Sequence, residues 1–186
     1  MGVTNKTEEF TKKFPLGKVP ALETADGFYL AEGAAIAKFI AASGPKAAQL
    51  LGTGDVRAFA KIEEWAAFAE SEISTNILPS MLMCLAKMIP FDEAAYDAAA
   101  AKLVRALKKI EATVQDGRKF LVGDQLTLAD LMVAAPLITA DKFLIDAEMR
   151  KEIPAVIKYL EGLIEAVPEI KATSGTLAYC EKRLKL

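Results

Sequence analysis

From Asp55 to the end of the chain no segment reads as a β-strand. Apolar residues recur there at helical spacing instead. Over residues 55–74 they are Val56, Phe59, Ala60, Ile62, Trp65, Ala66, Phe68, Ala69 and Ile73, which places them on one face of a helix. The pattern continues from Ile77 to Ile89 past Pro79, where the missing N–H is expected to kink or restart the helix. Pro90-Phe91-Asp92 breaks it. Asp92 to Val114 is an alanine-rich helix with Leu103, Val104, Leu107 and Ile110 facing inward, and Asp116-Gly117-Arg118-Lys119 is a turn. Thr127 to Phe143 is strongly apolar and is expected to be the most buried helix. A short turn of helix at Asp146–Lys151 and helices over Ile153–Val167 and Glu169–Glu181 complete an all-helical domain spanning 55–186.

The first 45 residues follow other rules. Thr4 to Lys13 is polar and lacks a clear period. Phe14-Pro15-Leu16-Gly17-Lys18-Val19-Pro20 carries two prolines and a glycine and reads as an extended loop. Two short runs, Ala21–Thr24 and Phe28–Ala31, meet through Asp26-Gly27 and read as a β-hairpin. Glu32-Gly33 opens a helix, which Ser43-Gly44-Pro45 closes. A lone hairpin is marginally stable and leaves open edges, so the helix from Gly33 to Ser43 is expected to carry it by packing on the helical domain. Lys46 to Gly54 reads as a linker, giving domains over 1–45 and 55–186.

Composition removes several function classes. The chain contains no histidine, which excludes a Ser-His-Asp triad, a Cys-His pair and a His-ligated metal within it. Cys84 and Cys180 lie too far apart in sequence to suggest a zinc spacing or a disulfide framework. Reduced thiols and a cytoplasmic location are the simplest reading. A formal charge of −2, from 23 basic and 25 acidic residues, gives no reason to expect a strong direct grip on nucleic acid. No run of roughly 18 uncharged apolar residues suggests a membrane span, and no apolar run after the first residues suggests a secretory signal. Trp65, Phe59 and Phe68 are expected in the core. The methionines 81, 83 and 88 mark an irregularly packed helix.

The sharpest local signal is Phe120-Leu121-Val122-Gly123-Asp124-Gln125-Leu126-Thr127-Leu128-Ala129-Asp130. Thr127 and Asp130 are spaced as a capping box with Asp in the acidic position, and Leu126 and Leu131 as a hydrophobic staple. The role of such a box is structural.

A buried helix opened by Gly123, Thr127, Ala129 and Asp130 resembles the folding motif of the glutathione-transferase C-terminal domain. Phe14 to Leu22 is similar to the loop entering the third strand of that family's thioredoxin-like domain, which makes Pro20 the candidate cis-proline. Glu32-Gly33-Ala34-Ala35-Ile36-Ala37 resembles the family's Glu-Ser-x-Ala-Ile-Ala helix start. The resemblance covers nearly the whole chain, in order. It implies a mainly α glutathione-transferase fold, with a partial thioredoxin-like α/β piece before the helical domain. Thr4-Asn5-Lys6-Thr7, Glu9-Phe10, the Ala66 to Ile73 segment, Lys119 to Gly123 and Cys180-Glu181-Lys182 resemble the branch formed by the gamma subunit of translation elongation factor 1.

That branch implies a non-catalytic scaffold of the elongation factor 1B complex, docking its nucleotide-exchange subunit, with no cofactor required. Two alternatives are a glutathione transferase acting on electrophiles and the transferase-like appendage of a tRNA-synthetase assembly. The family also implies a homodimer, and a first strand, helix and strand bearing the catalytic Ser, Tyr or Cys; Val3 has nothing before it to supply them, and a trimmed sequence is the expected reason. A vestigial glutathione site is expected at Lys18, Val19, Pro20, Glu32 and Gly33, with Val19 pairing through its backbone and Lys18 reaching the glycyl carboxylate. Gly33 stands where the family has serine, so weak binding or none is expected.

Overall fold

The computed structural model describes residues 2–185. The stretch without a clear period is ordered by local caps. A single 3-10 turn at Thr4–Lys6 leads into helix α1 (Glu8–Lys13), where the Thr7 hydroxyl accepts from the Phe10 amide. Strands β1 (Ala21–Glu23) and β2 (Tyr29–Ala31) pair antiparallel, with Ala21 opposite Ala31, Leu22 opposite Leu30 and Glu23 opposite Tyr29. The expected hairpin forms, and its turn passes through Asp26-Gly27 with Gly27 at φ 83°. Helix α2 (Gly33–Ser43) lies against both strands.

The segment expected to be a linker folds. Helix α3 (Ala47–Leu51) packs on α2 and on α4 (Val56–Phe68). The Gln49 side-chain amide donates to the Leu126 carbonyl at 2.9 Å, and Lys38 of α2 pairs with Glu63 of α4. These contacts tie the hairpin piece to the helical domain.

Asp55 caps α4 by accepting from the amides of Arg57 and Ala58. Pro79 neither ends the rod nor restarts it. The helix runs on through a π turn (Ala69–Ser74), helix α5 (Thr75–Ser80) and a second π turn (Met81–Leu85). Widened turns are a known way to absorb a helix irregularity. The Thr75 hydroxyl donates to the Glu70 carbonyl and the Asn76 amide to that of Glu72, so the disturbed ladder is partly satisfied by side chains.

Helix α6 (Glu93–Val114) is capped by Asp92 and buries Leu103, Leu107 and Ile110, while Val104 is only half-buried. Helix α7 (Leu128–Ala140) runs through the core; Leu137 and Ile138 are fully buried, each worth about 2 kcal/mol in removed apolar area. Helices α8 (Ala147–Lys151), α9 (Pro154–Ala166) and α10 (Pro168–Ser174) follow. The last helix stops at Gly175 (φ 81°), well short of Glu181. Beyond it the chain is irregular and is pinned by Asp141, whose carboxylate accepts from the amides of Ala178 and Tyr179.

Pro154 begins α9 without a side-chain cap. Glu111 of α6 supplies one across the interface, accepting from the amides of Ala155 at 3.1 Å and Val156 at 2.9 Å. Two charge-assisted bonds at a positive helix end are involved. Glu111→Ala is expected to lower stability by about 2 kcal/mol. A urea titration checks this, and Glu111→Gln, which retains an acceptor, should recover about half.

Among the described residues no helix is long and apolar enough to cross a membrane.

Candidate functional site: a pocket at the start of helix α2

The loop between α1 and β1 is shaped by backbone rather than by side-chain bulk. Gly17 sits at φ 56°, and a Cβ there would stand 2.8 Å from the Asn5 carbonyl oxygen. Asn5 donates from its amide to the Gly17 carbonyl at 2.7 Å, locking the first turn onto the loop. The Val19–Pro20 bond is cis. Among the described residues nothing hydrogen-bonds to the main chain of Val19. Behind the loop the buried ring of Phe14 meets the edge of Tyr29 at 5.8 Å. Lys13 is paired with Glu23 at 2.7 Å and lies 5.6 Å from the Tyr29 ring. The Glu23 carboxylate beside it raises the Lys13 ammonium above its usual range.

Glu32 is the conformational outlier. It stands at φ 69°, ψ 117° immediately before α2, a region that non-glycine residues avoid at a cost of order 1–3 kcal/mol. Its carboxylate is exposed and has no partner among the described residues. Helix-dipole complementarity alone needs no such strain. Gly33, by contrast, needs no special backbone angle, and a Cβ there would meet the Pro20 ring at an ordinary 3.4 Å. A serine fits this position, so glycine is not required by the fold.

Loop, hairpin and helix start enclose a pocket of about 360 Å³. The structure brings Lys18, Val19, Pro20, Glu32 and Gly33 together in its lining. It adds Lys13, Tyr29 and Ala31, which the sequence motifs did not single out. Tyr29 and Lys13 were hidden because they reach the pocket through the hairpin register and the capped turn of α1, neither of which is a local motif. Among the described residues, the pocket offers an unpaired ammonium (Lys18), a free backbone edge (Val19), helix amides without a side-chain cap and a lone carboxylate (Glu32). Those are complementary groups for a small zwitterionic peptide. Tyr29 contributes the only side-chain hydroxyl in the lining, and no cysteine lines it.

Thr127 and Asp130 lie elsewhere, in the core. The capping box forms, and the Asp130 carboxylate also gathers the Leu121 amide and the Tyr159 hydroxyl, both at 2.8 Å. Burial pushes the Asp130 carboxyl above its usual range, and these donors oppose that shift. Burial, followed by the neighbouring Asp130, pushes the Tyr159 phenol well above its usual range.

A two-stranded α/β piece carrying a cis-proline pocket, joined to an all-helical domain with a buried capping box, defines a glutathione-transferase-type fold. Residues 2–42 match the model of the glutathione S-transferase N-terminal domain, and residues 73–166 match that of the C-terminal domain. A Fusarium glutathione S-transferase-like protein, LUC7, is 44% identical over 93% of this chain and 77% of its own length. Elongation factor 1-gamma-A of Xenopus laevis is 33% identical over 97% of this chain, which spans 39% of that protein. The solved GST-like domain of elongation factor 1-gamma from Saccharomyces cerevisiae superposes with a TM-score of 0.80 at 26% identity, covering 96% of this chain and 82% of that one. The chain belongs to the glutathione S-transferase family.

Proposed function

We propose that this domain is a non-catalytic interaction module, a scaffold of the elongation factor 1B complex that docks its nucleotide-exchange subunit. The observation that carries this reading is the likeness to the gamma subunit along nearly the whole chain, which also supports the partner assignment. The pocket's lining supplies groups that recognise a peptide. Glutathione, where it binds, binds weakly at Lys18, Val19, Pro20, Glu32 and Gly33.

A second reading, a transferase joining glutathione to electrophiles, is favoured by the higher identity to the Fusarium protein. Calorimetry with glutathione, together with a chlorodinitrobenzene conjugation assay on the same sample, separates the two. Turnover selects the transferase. Weak or absent binding without turnover, followed by capture of the exchange subunit, supports the scaffold.

The strain at Glu32 offers a further check. Glu32→Gly relieves the backbone and is expected to raise stability by about 1 kcal/mol, or about 3 °C in Tm. The same variant should lose whatever glutathione affinity the wild type shows. A variant that gains no stability would mean that the helix start tolerates the angle without cost.

A further inference from the structure

A second cavity is built wholly from the helical domain. It encloses about 480 Å³ between the C-terminal end of α6, the turn at 115–120 and the face of α9. This volume is within the range of small-molecule sites, and it shares no residue with the pocket at α2. Its floor is apolar, built from Val114, Phe120, Leu163 and the ring of Tyr159. The Tyr159 hydroxyl is already committed to Asp130 at 2.8 Å.

Gly162 lies in this floor at the middle of α9. Glycine is among the poorest residues for a helix interior, yet here no packing demands it. A Cβ at 162 would meet nothing within 4 Å. The bare backbone instead leaves the floor flat.

The rim is basic. Arg118, Lys119 and Lys158 face one carboxylate, Glu165. Arg118 is held by Asp116 at 2.7 Å. Neither Lys119 nor Lys158 has a hydrogen bond or ion pair among the described residues. Two uncommitted ammonium groups, one on each wall of an apolar slot, suit a ligand with an apolar body and an anionic end.

We propose that this cavity binds a flat apolar organic anion of the aromatic carboxylate class, its ring on the Gly162 and Phe120 floor and its carboxylate at Lys119 and Lys158. The test is calorimetric titration of the full chain with 1-naphthoate and with neutral 1-naphthalenemethanol. Saturable naphthoate binding, at least tenfold tighter than the alcohol and weakened by salt, is expected. Lys119→Glu/Lys158→Glu should weaken it at least tenfold, as should Gly162→Leu, which fills the floor. Lys18→Glu, in the other pocket, should leave it unchanged.

Absence of saturable binding overturns the proposal. Binding that survives Gly162→Leu removes the ligand from this cavity, and binding that survives the lysine reversal removes the anion preference; either result also overturns it. Thermal melts confirm that each variant is folded. Should Gly162→Leu fail that check, the exposed lysine pair decides by itself.

Discussion

Asp130→Ala is expected to lower stability by about 4 kcal/mol, enough to unfold much of a marginal domain at physiological temperature. The carboxylate is fully buried. Its Oδ1 accepts from the Leu121 amide and the Tyr159 hydroxyl, both at 2.8 Å. Its Oδ2 accepts from the Thr127 amide at 2.9 Å and the Thr127 hydroxyl at 3.1 Å. Removing it orphans two buried amides and a buried phenol, each costing about 1–3 kcal/mol when water does not replace the acceptor. One side chain therefore fixes the loop before α7, the start of α7 and the side of α9 together. Linear extrapolation from urea titrations measures the effect. A loss below about 1.5 kcal/mol would mean that water enters the vacated space and restores the bonds.

The pH dependence of the same pair of proteins has a definite sign. Burial raises the folded carboxyl above its ordinary 3.8. At pH below 3.8 both folded and unfolded chains hold the proton. Between that value and the raised folded value the unfolded chain releases it first, so the native state binds more protons and stability falls as pH rises. Asp130's contribution is therefore fully present in acid and diminishes through that window, then levels off. Subtracting the Asp130→Ala curve from the wild type cancels the other carboxylates, and the difference should narrow with rising pH. A difference that widens would show that the four donors outweigh desolvation.

What the sequence discloses depends on how local the cause is. The hairpin was legible because Asp26-Gly27 imposes its own turn, and the long helices because burial leaves a periodic stripe over many residues. The capping-box spacing of Thr127 and Asp130 is equally local. The further partners of Asp130 are not, since Leu121 and Tyr159 meet it only after α7 and α9 pack. Glu111 is the same case: its role as the cap of α9 depends on a contact spanning 44 residues. The helix expected to reach Glu181 ends at Ser174, because the following segment finds better partners in Asp141 than in its own carbonyl ladder. Of the pocket, the residues on the loop and at the helix start were readable, whereas Tyr29 enters through strand register. Helix α3 was missed because it is five residues long and lies between Pro45 and a pair of glycines. Its stability comes from α4 and Leu126, not from propensity.

Gly52, which ends that helix, carries the other large expected effect. It is left-handed at φ 65°, and a Cβ there would fall 2.9 Å from both the Phe59 amide nitrogen and Ile62 Cδ1. The Ala58 carbonyl carbon would be 3.1 Å away. A flexible side chain can retreat; the backbone of α4 cannot move without separating α3 from it. Gly52→Ala is therefore expected to cost about 3 kcal/mol, combining about 1 kcal/mol for the left-handed backbone with the overpacking of a tight contact. In a domain of this size that corresponds to about 9 °C in Tm. Two other glycines separate the contributions. Gly27 has φ 83° with nothing within 4 Å of its would-be Cβ, so Gly27→Ala should show the backbone cost alone, about 1 kcal/mol. Gly54 has neither a positive φ nor a neighbour within 4 Å, and Gly54→Ala should stay within about 0.5 kcal/mol of wild type. Equal effects at 52 and 27 would show that α4 yields to the added methyl. The larger loss at 52 would establish that close backbone approach between α3 and α4 joins the pocket-bearing piece to the helical core.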